Sequence, residues 1–68
     1  MDVAFERLAD LLTVEQIGLL RLLTEVDDST LEIIVAHLPY NLELVLSAHH
    51  AVCDGQLTVF GRAFIDWL

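Results

Sequence analysis

Apolar residues recur along most of this chain at intervals of three and four, the spacing of one face of an α-helix. Phe5, Leu8, Leu11 and Leu12 share one side of a first predicted helix, with Glu6, Arg7 and Asp10 facing water and Asp2 placed to cap it. A second helix is predicted over residues 14–26. Its inner stripe is Val14, Ile17, Leu20 and Leu23, and Leu19 and Leu22 widen it beyond one face. Thr13 and Gln16 fit a capping box, in which each side chain satisfies the other residue's free backbone N–H. The run Asp27-Asp28-Ser29 then favours local side-chain to backbone bonds over helix. Ser29 and Glu32 suggest a second capping box for a third helix over 30–38, with Leu31, Ile34, Val35 and Leu38 inward.

Pro39 ends that helix, because its ring cannot continue it and disfavours a helical residue before it. Asn41 is placed to cap a fourth helix over 42–53, with Leu42, Val45, Leu46, His49 and Val52 on one side. Asp54-Gly55 reads as a stop and turn. Residues 56–60 are the strand candidate. Thr58 is also a cap for a last helix over 59–68, on which Phe60, Phe64 and Trp67 share a face. The fold class expected is all-α, four to five helices in one domain over residues 1–68, with at most a minimal β-wing.

Residues 30–62 together, "TLEIIVAHL", "PYN", "LELVLSAHHAVC", "DG" and "QLTVFGR", resemble the winged-helix variety of helix-turn-helix. The stretch "LTVFGR" is similar to the leucine-threonine-x-x-glycine-arginine segment that follows the wing in many bacterial and archaeal regulators. The resemblance implies that 42–53 is the recognition helix and that 14–26 stands for the family's first helix. It also implies a DNA-binding regulator acting as a dimer, with Tyr40, Asn41, Ser47, His50 and Arg62 approaching DNA.

Charge turns the picture elsewhere. The chain of 68 residues has a formal net charge of -8, three arginines and no lysine. The predicted recognition helix has no Lys or Arg, and the wing is reduced to a turn. Duplex binding draws its non-specific affinity from cations that release counterions, and strong binders make roughly 6–10 phosphate contacts. Eight of the eleven acids lie in the first half: Asp2, Glu6, Asp10, Glu15, Glu25, Asp27, Asp28 and Glu32. Such a surface repels nucleic acid and attracts basic protein surfaces; the plainer role of acids is to keep an apolar protein soluble. The leading expectation is therefore a non-enzymatic, acidic protein-interaction module. It would be an inhibitor or regulator docking on a basic, nucleic-acid-binding surface, similar in size and charge to phage and mobile-element inhibitors that mimic nucleic acid.

Hydrophobic residues make up 56% of the chain, above the roughly 45–50% of ordinary domains, and a chain this short buries only about 60% of its unfolded surface. The excess points to a homodimer or a docked complex, with Phe5, Phe60, Phe64, Trp67 and Leu68 as the apolar contact. The alternative is that the aromatic rings pack back over the first helix at Phe5. Apolar runs are short and broken by charges, below the ~20 residues of a membrane span, and a basic leader is lacking. The lone Cys53 fits a reducing compartment, so a cytoplasmic location is expected.

His37, His49, His50 and Cys53 invite a metal site, but the paired spacings of four-ligand zinc sites are missing. The plain reading is a partly buried His49, a core Cys53 and an exposed His50. As a nucleophile Cys53 lacks a third, orienting residue, and Asp54 beside it would raise the thiol pKa. No cofactor, metal or enzymatic activity is expected.

Overall fold

A computed structural model describes residues 3–68. Helices α1 (Val3–Asp10), α2 (Val14–Leu22, prolonged by a 3₁₀ turn, Leu23–Glu25), α3 (Asp28–Ala36) and α4 (Tyr40–Ala48) lead into a hairpin of β1 (Val52–Cys53) and β2 (Gln56–Leu57), and α5 (Val59–Trp67) follows. The domain is helix-dominated with a minimal wing, as the pattern predicts. Leu8, Leu20, Val35, Leu42, Leu46 and Phe64 are the fully buried centre, and each of the five helices contributes at least one of them. Helix α5 packs on α2 and its 3₁₀ turn, β2 on α3 and β1 on α4. The Asp2 cap lies outside the described residues.

Local chemistry explains where each element starts, and where expectation and structure part. Phe5, Leu8 and Leu12 are buried, but Leu11 is exposed. Helix α1 stops at Asp10, so Leu11 leaves the helical spacing. Both halves of the Thr13–Gln16 capping box form, at 2.9 and 3.1 Å. Val14, in the first turn of α2, projects past the core and is exposed, as is Leu22.

Helix α3 begins two residues earlier than predicted. Its N-cap is Asp27, not Ser29: the Asp27 carboxylate accepts the Thr30 backbone N–H at 3.0 Å. Asp28 and Ser29 then fill the first turn, where an acid is favoured by the helix dipole. The Thr30 side chain and then its backbone N–H hold Asp27 below the usual carboxylate range.

Helix α4 also starts early. Pro39 occupies the N-cap position without a side-chain cap, and Asn41 lies inside the helix. At the other end the predicted span overshoots, since α4 stops at Ala48. His50 adopts φ 64°; Ala51 N–H donates to Leu46 O at 2.8 Å and His50 N–H to Ser47 O at 3.1 Å. This is a Schellman motif with histidine where glycine is usual. Val52 and Cys53, expected on the helix, form β1 instead and pair with Leu57 and Gln56. Asp54 (φ 52°) and Gly55 (φ 77°) supply the two positive φ angles of a type I′ hairpin turn. Val52 stays buried on the hairpin. Cys53 is exposed, not a core residue, and His49, at the α4 C-cap, is exposed as well.

Candidate interaction surfaces

Between α3 and α4 the chain turns through 102°, using only residues 37–39, within the roughly 90–120° of a helix-turn-helix. Helix α4 is the second helix of that pair. Its exposed side chains include Tyr40, Asn41, Glu43, Leu44 and Ser47. Tyr40 and Leu44, one turn apart, are 71% and 54% exposed, so beside Asn41 this face is apolar and acidic and lacks the Arg or Lys that base reading draws on most. Leu44 carries no signal in the sequence, where it is one more leucine beside the core stripe.

The "LTVFGR" stretch has a structural account residue by residue. Leu57 is half-buried on β2 and packs against the core. Thr58 clasps two elements: its hydroxyl donates to His50 O, its oxygen accepts the Gly61 N–H at 3.0 Å, and its own N–H donates to Ala51 O at 3.0 Å. Gly61 lies against that Ala51 carbonyl, where a Cβ would come within 1.9 Å of the oxygen. Arg62 reaches back to Asp28 on α3 at 3.2 Å. These roles close the fold of a helix on a hairpin and require no ligand. Thr58→Val keeps the shape but removes the hydroxyl, so it is expected to cost about 1–2 kcal/mol, a drop of roughly 5–10 °C in Tm. An unchanged midpoint would show that backbone bonds alone hold α5.

The three Phe rings and Trp67 gather at α1. The Phe5 ring lies 5.2 Å from Phe60, 5.7 Å from Phe64 and 5.6 Å from Trp67, tilted in each case. Trp67 and Phe64 stack at 6.1 Å. Of the five residues expected at an apolar contact, Phe5 and Phe64 are thus buried in their own chain, and Phe60 and Leu68 are half-buried. Trp67 remains 45% exposed. The rings pack back over α1, and Trp67 offers the largest outward surface among them.

Glu6, Asp10, Glu15, Glu25, Asp27, Asp28 and Glu32 are all exposed; Asp2 lies outside the described residues. Asp28 and Glu32 join Gln56, Leu57 and Arg62 around a cleft of about 260 Å³ between α3 and the hairpin. A more open groove runs between α1, the end of α4 and α5, lined by Val3, Ala4, Arg7, His49, His50 and Phe60. It brings Arg7 beside two histidines some forty residues on, a juxtaposition that only the tertiary fold creates. Tyr40, Asn41, Ser47, His50 and Arg62, the residues a DNA-binding role would use, are all exposed, with Arg62 already paired to Asp28.

His37 Nδ1–H donates to Ile33 O at 2.8 Å, which ties that ring to its own helix. The Cys53 thiol points to the Asp54 carboxylate at 3.9 Å. Among the described residues no three His, Cys, Asp or Glu side chains converge as a metal site. No single helix among them is long and apolar enough to cross a membrane. No protein-family pattern, curated protein or solved structure matches this chain.

Proposed function

We infer that this chain is a small, non-enzymatic protein-interaction module on a winged-helix-like scaffold. Its acidic surface docks on the basic surface of a nucleic-acid-binding protein, as an inhibitor or regulator in the cytoplasm. The observation that carries this reading is α4: at the recognition position it exposes Tyr40, Glu43 and Leu44 and no cation. The exposed acids supply long-range attraction to a basic partner. Tyr40 is suited to anchor the contact, since Tyr is enriched at binding hot spots.

A second reading, a winged-helix DNA-binding regulator, is favoured by the 102° turn between α3 and α4. One titration separates the two. Labelled random duplex DNA and a labelled arginine-rich peptide are each titrated with the chain at low and at physiological salt. The docking reading expects the peptide to bind with an affinity that falls with salt. DNA should bind more weakly than the ~10⁻⁴ to 10⁻⁶ M of ordinary non-specific binders. A salt-sensitive DNA shift at micromolar protein with no peptide binding would replace the docking reading with the second one.

A further inference from the structure

Helix α2 is apolar on two opposite sides. Leu20 is buried in the core and Ile17 and Leu19 pack against it, whereas Val14 and Leu22 are 86% and 59% exposed on the outer side. Midway between them, four residues from each, sits Gly18, where an added Cβ would meet nothing within 4 Å. At 3.6 residues per turn, Val14 and Leu22 lie about 40° to either side of Gly18. Glu15 and Arg21, three residues away and exposed, lie about 60° to either side, on opposite flanks of the stripe. The outer face of α2 is therefore symmetric about Gly18 in shape and antisymmetric in charge.

We propose that this face pairs with the same face of a second copy, α2 crossing α2 in parallel about a two-fold axis at Gly18. Residues spaced by four form the ridge that packs at about −50° in helix crossings, and a glycine at the crossing point lets the two backbones approach. The parallel order sets Val14 and Leu22 against their own symmetry mates. It places Glu15 of each copy across from Arg21 of the other, once on each flank. The antiparallel order would set Arg21 against Arg21 and Glu15 against Glu15, so charge selects the parallel one. Among the described residues Arg21 has no carboxylate partner in its own chain. One helix crossing buries less than the ~800 Å² per partner of a standard interface, and each copy carries a charge of -8. The pairing is therefore weak, with a Kd on the order of 10 µM. It does not depend on docking to a basic partner, because it is read from mass alone.

Sedimentation equilibrium of the full chain over a micromolar range tests it. The mean mass should rise with concentration from 7.6 kDa towards twice that value. Gly18→Arg should hold the chain monomeric with its helical circular dichroism intact, since the position opens on free space. Arg21→Glu and Glu15→Arg should each weaken pairing by about tenfold, and the double exchange Glu15→Arg with Arg21→Glu should restore it. A monomer at every concentration overturns the proposal. So does a dimer that survives Gly18→Arg, or one in which the two exchanges fail to compensate.

Discussion

Gly61→Ala is expected to leave this chain without a cooperative unfolding transition. Alanine is favoured over glycine inside a helix by about 1 kcal/mol, so propensity alone would predict a gain. Packing reverses the sign. A Cβ on Gly61 would sit 1.9 Å from the Ala51 oxygen and 2.8 Å from its carbonyl carbon, both backbone atoms. Ala51 cannot yield easily, being buried and held by the Thr58 N–H. Overpacking of this kind costs roughly 3 kcal/mol or more, against the 3–5 kcal/mol that a core of this size supplies. Gly18→Ala is the control, because it also adds one methyl to a helix but into open space. It should raise Tm of the dilute monomer by roughly 4–8 °C per kcal/mol gained. Thermal melts of both variants followed by circular dichroism decide the matter. If the Gly61 variant melts like the unmodified chain, the close approach of α5 to the hairpin is wrong.

Phe64→Ala should be nearly as damaging. Phe64 has no exposed surface, stacks on Trp67 and touches Phe5. Large-to-small changes at such a site cost about 3–5 kcal/mol through lost transfer energy and the cavity left behind. The variant should be largely unfolded at room temperature, with a red-shifted indole emission from Trp67, the single tryptophan. Trp67→Ala should cost clearly less, since 45% of that residue already faces water. Equal losses at the two positions would mean that the cluster is held from outside, by a partner covering Trp67.

What the sequence made legible was local. Thr13 and Thr58 are readable as caps because partner and cap lie three residues apart, and both caps form. The helical stripes named nearly all of the core for the same reason. The misreadings arise where two neighbouring residues offer the same chemistry. Asp27 and Ser29 are both good caps, and the choice of Asp27 depends on where α3 packs. Helix α4 ends with His50 in a left-handed conformation, a position that glycine normally announces. The leucine-and-valine spacing ran on through Val52 and hid the hairpin. Among surface features, the charge on the acids was plain, but the outer face of α2 was not. Val14, Gly18 and Leu22 become a surface only once Leu20 has claimed the opposite side. Pro39 marked the break between α3 and α4 in the sequence, but not the 102° through which the chain turns there.

The contact of Phe5 with Phe60, Phe64 and Trp67 also sets an order in time. A chain leaves the ribosome from its first residue onwards, at about 5–20 residues per second, so α1 emerges roughly 3–10 seconds before the rings it packs against. Through that interval Phe5 lacks the rings that cover it. Helices α2, α3 and α4 can settle on one another, but the domain locks only when the last nine helical residues arrive. Translation halted before Phe60 should therefore leave a nascent chain that proteases cut and chaperones hold. The released chain, with α5 free to reach α1, would show no such effect.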